Sequence, residues 1–309
     1  MSQINQPKMT NSFQPADGPR RAYSLNLCFM TRNDRHTSLP VAGLLAFAML
    51  AATALPAAAA LSDWATNEGG RMRLVALSPQ ADGSLRAALQ IEPLPGWITY
   101  WREPGEGGIP PQLSLAPEAN VAIERIGYPV PKTILAGSVR EIGYDGPVTL
   151  PIDLRIADPA KPAKLDLSAF VGLCKDICIP FQASFSLPLP AQSLFLPEEQ
   201  AVIAAADAAL PGGPAADFAL TGHRLSADGK ALSLEFTLPE PAGDAPQVYL
   251  TGPSGYVFFN QKQPRRDGRN FQTEIAMGRL PAGYDLHGKR WTVLVVDGAR
   301  AMETPLVFD

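Results

Sequence analysis

Apolar and polar residues alternate along most of the chain after residue 60, which is the pattern of β-strands with one buried face. The clearest run is 85–91, in which Leu85, Ala87, Leu89 and Ile91 are separated by mostly polar residues. Similar runs occur at 165–169, 181–189 and 232–236. Further strands are predicted at 71–78, 97–101, 121–126, 148–156, 246–251, 255–260, 269–276 and 290–297. Turns are predicted at Asp82-Gly83, Asp145-Gly146, Asp228-Gly229 and Asp267-Gly268. So many short strands between turns predict an all-β protein built from β-sandwiches.

One segment breaks the strand pattern and predicts a helix. Pro197 suits a first helical position, acidic residues follow it, and the alanine-rich stretch 201–210 has high helix propensity. Pro211-Gly212-Gly213-Pro214 ends the helix. We therefore predict a first β-domain over 61–190, a short helical linker over 191–216 and a second β-domain over 217–309.

Composition narrows the class of protein. Of the 309 residues, 46% are hydrophobic and 18% are charged, which is enough apolar material for a packed core. The net charge is −4, whereas a nucleic-acid-binding protein normally carries a basic face. The sequence contains no Gly-x-Ser-x-Gly, His-Glu-x-x-His or phosphate-binding glycine motif, which argues against common hydrolases and nucleotide enzymes.

The first sixty residues resemble an export signal. Residues 1–29 are polar and are predicted to be an unstructured leader or a mis-assigned start that precedes Met30. In 30–60, Arg32 and Arg35 precede an apolar stretch that ends in small residues after Pro56. This is the order of a cleaved secretory signal. A retained anchor over 40–61 is the alternative, but no basic stop-transfer cluster follows it. We expect an exported chain with no stable membrane insertion after cleavage.

The cysteines carry the candidate chemistry. Cys28 precedes the predicted signal, so the exported chain keeps Cys174 and Cys178. Strand patterns end near Phe170 and resume near Ile179, which places the pair in a connection that could include one helical turn. Lys175 would favour a thiolate at this site and Asp176 would oppose it. Residues four apart in a turn are close enough to form a disulfide.

Three interpretations of this pair remain open. A disulfide that closes about five residues is worth only about 2 kcal/mol, so a structural role would contribute little. A short, exposed bridge is typical of reversible thiol exchange. The third interpretation is binding of a soft metal such as Cu(I) by two thiolates. His223 and His287 both fall in the predicted second β-domain, and a lone histidine is more often a surface or core residue than a ligand. We predict no metal site and no cofactor.

Several segments resemble the N-terminal periplasmic domain of DsbD-type thiol:disulfide interchange proteins, and the ScsB-type branch in particular. The resemblance covers about 64–190. It rests on the segments Gly96–Gly108, Tyr128–Pro131, Gly143–Pro151 and Val171–Pro180. The region 217–309 resembles the second module of the ScsB-type N-terminal region.

The resemblance implies an immunoglobulin-like β-sandwich in which Cys174 and Cys178 are the redox-active disulfide. A membrane-embedded thiol reductase would reduce the pair, and periplasmic thioredoxin-like or disulfide isomerase proteins would receive the electrons. The family shields its pair with a cap loop, which would fall around 132–139. Because no aromatic residue occurs there, Tyr100, Trp101 and Tyr144 are candidate shielding residues, although packing is the alternative role for each.

We therefore predict a periplasmic redox module, similar to a protein-disulfide reductase, with roles in cytochrome c biogenesis or copper tolerance. Full-length relatives also carry a membrane domain and a thioredoxin-like domain, and we expect this chain to be a stand-alone version of the N-terminal module; the 309 residues contain no Trp-Cys-x-x-Cys motif. A separate membrane reductase would then be required. The alternatives are a non-catalytic binding or chaperone module with a structural disulfide, and a Cu(I)-binding protein.

Overall fold

The computed structural model describes residues 61–309 apart from 137–138, 159, 162, 190–195, 241–244, 254, 256, 279, 281–283 and 309. The predicted leader (1–29) and signal peptide (30–60) therefore lie outside the described residues. The described residues belong to one compact unit. No helix in the described ranges is long and apolar enough to cross a membrane.

The first β-region, from 61 to 189, contains eleven strands within the described residues. They are β1 (Ala65–Asn67), β2 (Gly70–Ala76), β3 (Ser84–Pro93), β4 (Thr99–Gly105), β5 (Gln112–Leu115), β6 (Val121–Ile126), β7 (Lys132–Ala136), β8 (Val139–Tyr144), β9 (Val148–Ile156), β10 (Lys164–Cys174) and β11 (Cys178–Pro188). They form three antiparallel sheets with the orders β1-β2-β3-β9-β6, β11-β10-β5 and β4-β8-β7.

Alternation along the strands builds the core of this region. On β3, Leu85, Ala87, Leu89 and Ile91 are buried against the odd-numbered apolar residues of β10, 165–173. The five-stranded and three-stranded sheets therefore pack face to face as a sandwich. Because side chains alternate across a strand, the even-numbered positions of β10, which include Cys174, face away from this core.

A single helix among the described residues, α1 (Pro197–Ala208), follows the first region. The helix prediction is confirmed, and acidic residues occupy its first turn as expected. Its Ile203 packs against Val75 and Ala88 on the outer face of the five-stranded sheet. Asp207 also forms an ion pair with Arg86 on β3. The predicted linker thus contains a helix that packs on the sandwich.

The second β-region, from 212 to 308, is a sandwich of two four-stranded antiparallel sheets. Its strands are β12 (Ala219–Leu225), β13 (Ala231–Thr237), β14 (Gln247–Thr251), β15 (Val257–Phe258), β16 (Gln261–Asp267), β17 (Asn270–Ala276), β18 (Arg290–Asp297) and β19 (Arg300–Val307). The sheet orders are β12-β13-β17-β16 and β15-β14-β18-β19. The all-β, immunoglobulin-like fold predicted from the sequence is confirmed.

The core of the second region surrounds Trp291, which is fully buried. Phe258 stacks on its ring at a centroid distance of 5.9 Å, and Phe308 meets it edge-on at 5.8 Å. A charged pair lies beside this core, because Arg266 donates to both carboxylate oxygens of Asp297 at 2.9 and 3.2 Å. The Asp297 side chain is 0% exposed.

The two regions also contact each other. Tyr249 of the second region belongs to the core of the first, where its ring lies 6.0 Å from that of Trp101. Arg102 on β4 forms an ion pair with Glu303 on β19. The division into two domains stays a prediction, since these contacts join the regions into one unit.

Some strand predictions were wrong in extent. The strand predicted at 97–101 runs from Thr99 to Gly105, and the strand predicted at 255–260 is only Val257–Phe258. The strands that were not predicted are β1, β5, β7, β8, β12, β16 and β19. Of these, β7, β8 and β16 carry charged residues without regular alternation. Their pairing with neighbouring strands, rather than their own pattern, makes them strands.

Candidate functional site

The cysteines lie at the closed end of a long β-hairpin. Strands β10 and β11 pair over eleven positions, from Lys164 opposite Pro188 to Cys174 opposite Cys178. The two cysteines are disulfide-bonded, with a Cα–Cα distance of 4.1 Å. A bend of three residues, 175–177, connects them. The suggested helical turn is therefore wrong, because both strands continue up to the cysteines.

The two sulfur-bearing residues differ sharply in exposure. Cys174 is only 3% exposed, and its backbone amide and carbonyl pair with those of Ile98 at 3.0 and 2.8 Å. Cys178 is exposed. A thiolate from a partner protein can therefore approach the Cys178 sulfur, while Cys174 becomes the leaving group of such an attack.

Tyr100 on β4 contacts the disulfide directly. Its hydroxyl oxygen lies 3.4 Å from the Cys178 sulfur, although the side chain itself is fully buried. Two glycines leave room for the ring. A Cβ at Gly108 would lie 2.3 Å from Tyr100 Cε1, and one at Gly172 would lie 3.1 Å from Cδ2. The ring is therefore fixed between two backbone segments.

Glu141 on β8 is a member of the site that the sequence analysis missed. Its side chain is buried at 6% exposure and accepts a 3.1 Å hydrogen bond from the Tyr100 hydroxyl. Burial, and then the charge of Glu141, raise the pKa of Tyr100, so that the phenol keeps its proton. In the sequence, Glu141 stands out only as an acidic residue directly before the apolar residues Ile142 to Tyr144. Only the fold brings it near Cys178.

Glu141 reaches Tyr100 because β4 and β8 pair irregularly. Tyr100 lies opposite Gly143, and the next registered pair joins Gly105 to Glu141, so β4 bulges between Tyr100 and Gly105. A Cβ at Gly143 would lie 2.1 Å from the carbonyl oxygen of Thr99, so this close pairing requires glycine.

The other predicted site residues differ in how they relate to the disulfide. Lys175 and Asp176 are both exposed in the bend between the cysteines, next to Ile177, which is 69% exposed. Trp101 is buried in the core against Tyr249. The Tyr144 hydroxyl donates to the carbonyl oxygen of Pro129 at 2.8 Å. Packing thus accounts for Trp101 and Tyr144. Of these three aromatic residues, Tyr100 contacts a cysteine sulfur in the part of the chain that the structure describes.

The segment predicted as a cap loop is the β7–β8 hairpin within the described residues. Leu135 is 72% exposed and Val139 is 36% exposed near its tip. The second β-region holds this hairpin, because Thr133 and Tyr249 hydrogen-bond through their hydroxyl groups at 2.9 Å and Arg140 bonds to Asn260. The second β-region thus contacts the β7–β8 hairpin, which carries Glu141.

Among the described residues, no group of three or more His, Cys, Asp or Glu side chains is arranged to hold a metal ion. His223 and His287 both lie in the second region, outside the disulfide site. The predictions that the protein uses no metal and no cofactor stay predictions.

Known proteins resemble this chain in part of its sequence and in its fold. Residues 72–190 match the family described as thiol:disulfide interchange protein DsbD, N-terminal, which confirms the resemblance for that segment. The crystal structure of the N-terminal periplasmic domain of ScsB from Proteus mirabilis is similar in fold, with a TM-score of 0.65 and 22% sequence identity. The similarity covers 81% of this chain and 99% of that chain, so it includes the second β-region. The comparison with curated proteins found no match.

Proposed function

We propose that this chain is a periplasmic thiol-disulfide relay whose exchanging group is the Cys174–Cys178 disulfide. The observation that carries the proposal is the position of this bond, at an exposed hairpin end where Cys178 is open to solvent and Cys174 is buried. The match of residues 72–190 to the DsbD N-terminal family supports the same chemistry.

A structural role for the disulfide is disfavoured by the hairpin itself. Eleven registered pairs already hold β10 to β11, and the bond closes only the bend at its end. Such a loop gains about 2 kcal/mol from a cross-link, far less than a bond between distant segments. We therefore expect the fold to survive reduction of the bond, as reversible exchange requires.

The exchange follows from the exposure of the two cysteines. A thiolate of a partner dithiol attacks the Cys178 sulfur, the bond to Cys174 breaks, and Cys174 leaves as a thiolate. The partner's second thiolate then attacks the sulfur of the partner's first cysteine in the mixed disulfide. That bond breaks, and Cys178 leaves as a thiolate. The partner becomes a disulfide, and the two electrons and two protons it loses convert this chain to the dithiol. Running in reverse, the dithiol reduces a second partner.

The partners we propose are a membrane-embedded thiol reductase as electron donor and periplasmic thioredoxin-like or disulfide isomerase proteins as acceptors. Export to the periplasm follows from the signal pattern in 30–60 and agrees with the periplasmic origin of the ScsB domain. Roles in cytochrome c biogenesis or copper tolerance belong to the same proposal.

The reduction potential of the Cys174–Cys178 pair tests the proposal. The protein is equilibrated in glutathione buffers and its thiols are alkylated and weighed. We expect a potential near about −200 mV and equilibration within minutes. A pair that stays oxidised below about −300 mV would identify a structural bond. Tight Cu(I) binding by the reduced protein, with no exchange, would instead favour the copper-binding alternative.

Trapping the mixed disulfide tests which sulfur is attacked. The probe is a thioredoxin-fold protein with a Cys-x-x-Cys site whose resolving cysteine is replaced by serine. Cys174→Ser should form a covalent complex with the activated probe through Cys178, and Cys178→Ser should not, because Cys174 is buried. Equal trapping by both variants would contradict this order of attack.

A further inference from the structure

The Tyr100 hydroxyl connects the Cys178 sulfur to the buried Glu141 carboxylate. The Cys178 sulfur lies 3.4 Å from the Tyr100 hydroxyl, which donates to Glu141 Oε2 at 3.1 Å. Tyr100 is fully buried and Glu141 is 6% exposed, so water does not screen this line well. The proposed exchange did not use Glu141, and we ask what it does there.

A hydroxyl group carries one proton and can donate only once. While Tyr100 donates to Glu141, its oxygen faces the Cys178 sulfur as an acceptor. In the reduced protein, a Cys178 thiol can donate to this oxygen and complete the chain. A Cys178 thiolate would instead need the Tyr100 proton, and its use would leave the buried Glu141 carboxylate without that bond.

We propose that Glu141 is a positioning residue that acts through Tyr100 to keep reduced Cys178 in its protonated thiol form. This inference rests on the proposed function, since it concerns the state of the same cysteine. It gives the reduced protein a thiol that reacts slowly with unspecific disulfides and oxidants, because the thiolate is the attacking species.

Other charged groups near Cys178 were considered. Lys175 and Asp176 flank it in the bend, and both are exposed. Glu106 lies beyond Glu141 and is paired with Arg140 at 2.9 Å. These side chains are solvated or neutralised, so their influence on the sulfur is screened. Glu141 is the carboxylate joined to the sulfur through a buried hydrogen bond.

The experiment measures the pH dependence of Cys178 alkylation by iodoacetamide in the fully reduced protein. Trypsin cleaves after Lys175, so Cys174 and Cys178 are quantified in separate peptides. In the unchanged protein we expect a midpoint above the ordinary thiol pKa of about 8.5. A midpoint at or below that value overturns the proposal without any variant.

Substitutions then test the route. Glu141→Gln should lower the midpoint by about one pH unit, which is about tenfold faster alkylation below the midpoint. The matched control is Glu106→Gln, which removes a nearby exposed carboxylate and should shift the midpoint by less than about 0.2 units. In a Tyr100→Phe background, Glu141→Gln should have less than a third of its effect.

An equal effect of Glu141→Gln in both backgrounds would mean that the charge acts through space, and it would overturn the role of Tyr100. No effect in either background would overturn the proposal altogether. These measurements need no partner protein. If the midpoint shifts as expected while the pair fails to exchange with any thioredoxin-fold probe, the relay is wrong and the Glu141 inference stands.

Discussion

Both β-regions bury one face of each sheet in a sandwich, but they place their polar groups differently. In the described part of the first region, a disulfide lies at the end of a hairpin and joins the buried Cys174 to the exposed residue Cys178. In the second region, the Arg266–Asp297 pair lies beside the core, with the carboxylate fully buried. A reactive bond needs access, whereas a buried ion pair needs complete hydrogen bonding. The same architecture thus carries a disulfide at a hairpin end in one region and a buried ion pair in the other.

The second region contacts the site through the β7–β8 hairpin. Tyr249 of the second region bonds to Thr133, and Asn260 bonds to Arg140, the neighbour of Glu141. The described contacts of the Cys178 sulfur thus come from the first region, and the second region contacts the strand that carries Glu141. Substitutions in either region test this difference.

The largest expected effect is on exchange. Cys178→Ser should reduce disulfide exchange with a thioredoxin-fold probe by at least about a thousandfold, since the attacked sulfur is lost. The free energy of unfolding, measured with urea, should change by no more than about 2 kcal/mol, because the lost bond closes a short loop. A Cys28→Ser variant, altered outside the described residues, should exchange normally. A large loss of stability in Cys178→Ser would make the bond structural.

The second expected effect is on the stability of the other region. Asp297→Ala should lower the free energy of unfolding by about 3–5 kcal/mol, because it leaves the Arg266 guanidinium without its buried partner. The matched control is Asp217→Ala, whose pair with Arg300 is about half exposed and should cost less than about 1 kcal/mol. Urea unfolding followed by circular dichroism measures both. Similar losses in the two variants would show that burial does not set the difference.

A third expected effect depends on pH and lies where the regions meet. Burial raises the pKa of Glu103 from its ordinary value of 4.5 to about 7, against the opposing charge of Arg102. Between these values the folded chain keeps a proton that the unfolded chain has released, so the free energy of unfolding falls as pH rises. Because Glu103 is only half-buried, we expect a loss of about 1 kcal/mol from pH 4.5 to 7.5.

Glu103→Gln should flatten this part of the stability profile, which urea midpoints at pH 5, 6, 7 and 8 would reveal. Glu118→Gln, at an exposed position, serves as the control and should leave the slope unchanged. An unaltered slope in Glu103→Gln would assign the pH dependence to another group.

The smallest expected effect tests the support of the hairpin. Tyr249→Phe removes the hydroxyl that bonds to Thr133 and leaves the ring in the core, so stability should fall by about 1 kcal/mol. Hydrogen exchange should become faster in β7 and β8 and stay unchanged in β10. Tyr284→Phe, elsewhere in the second region, provides the comparison. Faster exchange throughout the protein would mean that Tyr249 stabilises the fold in general and has no special effect on the hairpin.

Local patterns predicted much of the fold. The alternating residues of β3, β10, β11 and β13 face their cores as expected, because burial of one sheet face imposes a period of two. The helix at 197–208 also follows from its proline, acidic first turn and alanines. Strands such as β7, β8 and β16 did not follow, since pairing and contacts with distant residues define them.

By itself, the sequence determined the all-β class, the two cysteines of the candidate site and the strands that flank them, because these features depend on residue type and local spacing. Tertiary structure alone decided that Cys178 is open while Cys174 is buried, that Tyr100 rather than Trp101 or Tyr144 meets the sulfur, and that Glu141 stands behind it. The physical reason is that sheet pairing brings residues 41 and 78 positions apart into contact. No local pattern encodes which of several aromatic or acidic residues will meet there.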